Sequence, residues 1–240
     1  MTKLSKSSSF VAVIAFSFLF LTACGPKKTA ITPPSPTPTP RLVELPLESR
    51  PYVSLIPRAD GHQLKLKITQ ISNLKEIEYE LLYLAADEGN EIEKGVGDSL
   101  KITGSSIERD LLLGTESCTN GCKYKYDANV HGGTLKLTFT TSQNQVATYE
   151  TPFILTSGAD WKKNNPLTID ENKFSLTALP TSSTEYFVIT KNYGFPPGVS
   201  GQAIYSVFSS GLGAGKVSQI SPATITPPST GIAGNYVLAK

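Results

Sequence analysis

The sequence predicts an all-β protein: an antiparallel sandwich followed by a smaller C-terminal β unit. Apolar and polar residues alternate with a period of two in several short segments. Turn-forming residues separate these segments about every 8 to 12 positions, and no comparable stretch repeats at the helical period of 3.6. In 63–68, Leu64, Leu66 and Ile68 alternate with Lys65 and Lys67. In 76–83, Ile77, Tyr79, Leu81 and Tyr83 alternate with Glu76, Glu78 and Glu80. In 134–140, Leu135, Leu137 and Phe139 repeat the pattern. Each segment reads as a strand with one buried and one wet face. Asp60-Gly61, Asp87-Glu88-Gly89-Asn90, Asn120-Gly121, Gly132-Gly133 and residues 142–145 supply the turns. Turns this short suit antiparallel neighbours, whereas parallel strands need long crossovers.

Ahead of the strands, residues 1–23 have a basic start with Lys3 and Lys6, an apolar run from Phe10 to Leu21, and the small pair Thr22 and Ala23. This is the layout of a secretory signal, with an apolar part short for a permanent membrane span. Leu21-Thr22-Ala23-Cys24, followed by Gly25, resembles the lipobox of bacterial lipoprotein precursors. The resemblance implies cleavage before Cys24, a lipid on its thiol and acylation of the new amino terminus. Residence at the cell membrane or outer membrane, facing away from the cytoplasm, follows from the same resemblance. Gly25 stands where an aspartate often retains such proteins at an inner membrane, so outer-membrane sorting is open to this chain. More than one acyl chain is needed for stable anchoring, because a single chain binds marginally and each buried methylene adds about 0.8 kcal/mol.

Residues 24–45 form the expected tether. Prolines stand at 26, 33, 34, 36, 38 and 40. Such a run favours extended polyproline II at about 3.1 Å per residue, or about 50 Å from Gly25 to Pro40. Lys27 and Lys28 are placed to touch anionic head groups, at about 1 kcal/mol each.

The sandwich is expected over 46–157, a length that suits an immunoglobulin-like domain. This region resembles Ig-like domains of uncharacterised bacterial lipoproteins. Residues 77–84 correspond to the third strand, and 134–140 with 149–155 to the last hairpin. The antibody hallmarks are missing: no cysteine pair is placed to bridge two sheets, and no Trp lies on the third strand. Residues 157–166 are polar and turn-rich. The remainder, 158–240, is rich in Gly, Pro, Ser and Thr, with strand candidates at 174–179, 185–190, 202–209 and 235–239. Its small size predicts packing against the first unit. Trp161, the sole tryptophan, lies at the junction and reads as interface packing rather than a ligand platform.

Charge argues against a polyanion partner. The chain has 22 basic and 20 acidic residues; removal of 1–23 takes Lys3 and Lys6 and no acid, leaving 20 of each sign. No basic face remains for nucleic acid. With Cys24 assigned to lipid, Cys118 and Cys122 are left as an even pair, which in an oxidising compartment reads as a disulfide across Cys-Thr-Asn-Gly-Cys. A ring this small contributes about 2 kcal/mol on the chain-entropy view. A redox pair and half of a metal site are the sharper alternatives, and neither has a second cluster to complete it.

No catalytic constellation, cofactor or metal is expected. The two histidines, His62 beside Asp60-Gly61 and His131 before Gly132-Gly133, read as solvated turn residues. No Gly-x-Ser-x-Gly elbow exists. Residues 210–217 imitate a phosphate loop but have Ser210 for the first glycine and Val217 for the magnesium-binding hydroxyl. Asp87, Glu88 and Glu91, and Asp170 with Glu171, read as solvated loop ends, without the spacing of an EF-hand. Tyr124 and Tyr126, alternating with Lys123 and Lys125, can either pave a sugar or protein contact or pack on the sandwich. The expected function is a non-enzymatic, lipid-anchored envelope protein that binds a protein or glycan. A hydrolase of envelope polymers and a structural spacer without ligand are the alternatives. A pocket holding a histidine against an acid and a serine would favour the hydrolase.

Overall fold

The computed structural model of the chain describes residues 41–210, 213–214, 216–220 and 233–238. The expected signal segment, Cys24, most of the tether and part of the 210–217 motif lie outside the described residues. In chain order the strands are β1 (Arg41–Leu42), β2 (Tyr52–Pro57), β3 (Gln63–Thr69), β4 (Leu74–Asp87), β5 (Asn90–Lys101), β6 (Ser106–Leu112), β7 (Gly114–Ser117), β8 (Lys123–Tyr126), β9 (Gly132–Thr141) and β10 (Gln145–Ser157). Helix α1 (Gly158–Lys163) follows. Then come β11 (Leu167–Ile169), β12 (Phe174–Leu176), β13 (Tyr186–Lys191), β14 (Ala203–Ser209), β15 (Gly213–Ala214), β16 (Lys216–Ile220) and β17 (Gly234–Leu238).

The alternating segments form the strands their period demands. β2, β3 and β6 make one antiparallel sheet, and β10, β9, β4 and β5 lie side by side in another. Their apolar faces meet: Leu64, Leu66 and Ile68 pack with Ile77, Leu81, Leu135, Leu137, Phe139 and Leu155 in one buried cluster. Burial of each such side chain contributes about 1.5–3 kcal/mol. The order β10-β9-β4-β5 opposite β2-β3-β6 is that of the G-F-C-C′ and A-B-E faces of an immunoglobulin sandwich. Gly133 makes the central pairing close. A Cβ there would lie 1.9 Å from the backbone oxygen of Leu82 on β4.

The larger sheet does not stop at β10. The Phe153–Ser157 end of β10 pairs with β13, which pairs with β14, then β17 and β16, giving a ten-stranded sheet with β1 and β15 at its margins. β13, β14, β17 and β16 thus extend the sheet of 46–157, while β11 and β12 pair only with each other. This half of the sheet is covered on both faces. Val188 and Phe208 join the sandwich core. On the opposite face Phe187, Ile189, Tyr205, Val207 and Tyr236 are covered by Trp161 of α1 and by Ile169, Phe174 and Leu176 of the β11–β12 hairpin. Trp161 is fully buried and stands edge-on to Phe187 at 5.1 Å between ring centroids. Asp170 is not a solvated loop end. Its carboxylate accepts hydrogen bonds from Lys191 Nζ at 2.9 Å and Tyr205 Oη at 2.8 Å, because β13 and β14 pass beneath the hairpin turn.

Candidate functional site

Strand direction sorts the loops into two poles. β1 enters the sheet parallel to the start of β10, with Arg41 opposite Gln145 and Leu42 opposite Val146. The turns before β4 and between β9 and β10 share that pole, where Ser142 N donates to Asn73 O. At the other end of β10, about 40 Å away at strand rise, the β2–β3 turn, the β8–β9 connection and the start of α1 converge. Asp60, His62, Asp127, Asn129, His131, Ser157, Asp160 and Tyr186 surround a slot of about 160 Å³ there. His131 and Asn129 also line an adjoining pocket of about 290 Å³, together with Leu84, Glu91, Gly132, Gly133 and Phe153.

Local chemistry fixes each part. In the β2–β3 turn, Arg58 donates to both carboxylate oxygens of Asp60, at 2.8 and 2.7 Å, while Asp60 Oδ1 accepts from the backbone N–H of His62. The Arg58 contact comes first among the causes that hold the Asp60 carboxyl below the usual range. Gly61 has φ +73°, and a Cβ on it would lie 2.3 Å from the ring of Tyr186, so only glycine lets β13 approach this turn. The β8–β9 connection is pinned by backbone bonds from Ala86 N to Ala128 O and from Leu155 N to His131 O. At α1, Ser157 Oγ accepts from Asp160 N and donates to Asp160 Oδ2 at 2.7 Å. These bonds cap the helix and depress the Asp160 carboxyl.

The structure brings His62 and His131, two turn residues far apart in sequence, to one slot. His131 is exposed, as expected of a turn residue, but His62 is half-buried. Its ring lies parallel to that of Tyr126, with centroids 4.4 Å apart, and Tyr124 stacks beyond at 6.2 Å. Arg58 covers Tyr126 as well, 5.5 Å from its centroid. Tyr124 and Tyr126 are 52% and 40% exposed, so they stand on the surface and present ring edges and hydroxyls. Behind them, Asp127 is buried and accepts from Tyr83 Oη at 2.9 Å and Lys94 Nζ at 2.5 Å. The Ser157-x-x-Asp160 spacing is a sequence signal for α1 that the polar composition of 157–166 obscured.

The slot holds histidine, acid and serine together. Ser157 Oγ is engaged by Asp160 on both its donor and acceptor sides. What the pole offers is a surface rich in carboxylates, amides, imidazoles and aromatic edges, beside the apolar floor of Leu84 and Phe153. Cys118 and Cys122, joined by a disulfide, close the tip of the β7–β8 hairpin that bears the two tyrosines. No family model matches the chain, and no match to a curated protein or a solved structure was found.

Proposed function

We propose that this chain is a non-enzymatic lipoprotein, anchored through Cys24, whose β body binds a protein or glycan of the cell envelope. The observation that carries the reading is polarity. The tether joins the sheet at the Gln145 end of β10, whereas both histidines, three aspartates and the exposed tyrosines stand at its Ser157 end. A Pro-rich spacer on an acylated cysteine would hold the first pole toward the bilayer and leave the second for a partner. Loops gathered at one end of a rigid sandwich are a common place for recognition.

Two measurements test it. Cys24→Ala should abolish palmitate labelling and release the protein from membranes; persistent labelling rejects the anchor. Envelope proteins and glycans captured by the wild-type chain should be lost on joint replacement of Tyr124 and His131 by Ala, and capture that is unchanged rejects the pole as the binding surface.

A hydrolase acting on envelope polymers is the second reading, favoured by the joint presence of His62, His131, Asp160 and Ser157 at one slot. Against it stands the double engagement of Ser157 by Asp160. Release of soluble fragments from purified envelope polymer, abolished by His131→Ala, would establish the hydrolase instead.

A further inference from the structure

The β7–β8 hairpin carries a second set of functional groups, independent of the slot. Its register pairs Gly114 with Tyr126, Glu116 with Tyr124 and Ser117 with Lys123. Side chains alternate along a strand, so Glu116 and Tyr124 share one face, and Cys118 and Cys122 are the next pair on it. Lys123 and Lys125 point the other way. Glu116 Oε1 lies 3.0 Å from Cys118 Sγ. Tyr124 stands directly opposite Glu116 in the strand register, on the same face. A carboxylate oxygen and both sulfurs all fall within 4.8 Å of one another, and all three residues are exposed.

We propose that reduction converts this hairpin tip into a site for a thiophilic divalent cation of the zinc class, held by Cys118 Sγ, Cys122 Sγ and a Glu116 carboxylate oxygen. Donors around tetrahedral zinc, at about 2.3 Å for sulfur and 2.0–2.2 Å for oxygen, are about 3.3–3.8 Å apart. Once the sulfur–sulfur bond is gone, the two exposed cysteine side chains must part by about 1.7 Å to reach that spacing. Two thiolates and a carboxylate are a donor set that suits zinc and disfavours magnesium or calcium. Tyr124, the cross-strand neighbour of Glu116, is placed to orient the carboxylate as outer-shell partners of metal ligands do. A fourth position faces water.

The chemistry balances in two steps. A dithiol reductant passes two electrons and two protons to the disulfide, giving the Cys118 and Cys122 thiols, and is itself oxidised to a disulfide. The cation then displaces one proton from each thiol, so binding releases two protons and weakens as pH falls. Thiol–disulfide exchange with a disulfide oxidant runs the first step backwards: the oxidant takes up two electrons and two protons to become a dithiol, the Cys118–Cys122 bond re-forms and the ion is released. The hairpin thereby reports the redox state of its surroundings through a metal at the exposed pole.

The test uses the full chain in detergent with Cys24→Ser, so that only these two thiols exist. After reduction and anaerobic removal of the reductant, cobalt(II) should bind at one equivalent with a thiolate-to-cobalt charge-transfer band, and zinc should displace it. The oxidised protein should show no band. Tyr124→Phe should weaken zinc binding about tenfold, and Glu116→Gln should weaken it further, with the β circular dichroism signal unchanged. Failure of the reduced protein to give the band overturns the proposal. So does a band that survives Cys118→Ser, or a zinc affinity unaffected by Glu116→Gln.

Discussion

His62 lies flat on Tyr126, with ring centroids 4.4 Å apart and planes 4° from parallel. The two side chains belong to different hairpins, β2–β3 and β7–β8, so the stack ties the second to the first. Arg58 reinforces it by covering Tyr126 and donating to its hydroxyl at 3.2 Å. The hairpin has little else to hold it, because every residue of β8 is exposed. An aromatic pair contributes about 0.5–1.5 kcal/mol and an exposed cation–π contact about 0.5–1 kcal/mol. Tyr126→Ala should therefore cost about 1–2 kcal/mol, concentrated locally. Hydrogen exchange should speed up at the amides of 114–126 while β3, β4 and β9 keep their protection. Equal loss of protection across the sandwich would show that the hairpin is not a separate local unit.

A buried carboxylate supports that hairpin from behind. Asp127 is buried, and its two oxygens are divided between Lys94 and Tyr83. Burial pushes the Tyr83 phenol well above its ordinary range, and the hydrogen bond to Asp127 adds to the shift. Asp127→Ala removes the acceptor and leaves the Tyr83 hydroxyl in the interior without its partner. Lys94, about a third exposed, can turn to water. The expected loss is about 1.5–3 kcal/mol, the range for a hydrogen bond to a charged group. Chemical denaturation should also show that adding Tyr83→Phe recovers part of it, because the orphan is then gone. A double variant no more stable than Asp127→Ala alone would mean that Tyr83 does not depend on this carboxylate.

Where one sheet face is wet, the strands were legible: β3, β4 and β9 all alternate, because Lys65, Glu78 and Lys136 look outward while their neighbours are buried. β13 and β14 alternate poorly for the opposite reason. Both their faces are covered, so Phe187 to Thr190 and Ile204 to Ser209 read as continuous buried runs. That β13 joins β10 was not legible, since the choice of pairing partner is set by contacts far apart in sequence. The meeting of His62 with His131 was hidden likewise. Each belongs to a turn whose local chemistry says only that it is a turn, and their proximity comes from β3 and β9 both starting at one pole. Tyr124 and Tyr126, by contrast, could be placed on one face of a strand by their spacing alone.

Acid should weaken the cover over β13 and β14. Burial opposes the charged form of Asp170, but hydrogen bonds from Lys191 and Tyr205 outweigh it and hold the carboxyl below its ordinary value. A folded-state pKa below the unfolded one means that the stabilisation is complete above the unfolded value, near pH 4, and is lost as pH falls through the folded value. Asp170→Asn should cost about 1–3 kcal/mol at pH 7. Denaturation of the two proteins from pH 7 to pH 2 should show the difference constant down to about pH 5 and shrinking below it. A difference that persists undiminished at pH 2 would show that the charge of Asp170 is not what the site uses.

Trp161 offers the sharpest separation of size from polarity. Among the described residues it is the largest fully buried side chain, packed edge-on against Phe187, and its indole N–H has no hydrogen-bond partner there. A buried unpaired donor costs about 1–3 kcal/mol, so the residue stabilises by volume against a polar penalty of its own. Trp161→Phe removes the penalty together with part of the ring, and the two effects oppose each other. Trp161→Ala removes nearly all the packing, at about 3–5 kcal/mol. Thermal unfolding should place the Phe variant within about 1.5 kcal/mol of wild type and the Ala variant far below it. The indole should also be the first group of this cluster to reveal loosening, through its fluorescence, because α1 is a six-residue helix held to the sheet chiefly by that ring. If Phe costs as much as Ala, the indole N–H is satisfied in solution and the helix is docked by polarity as well as by shape.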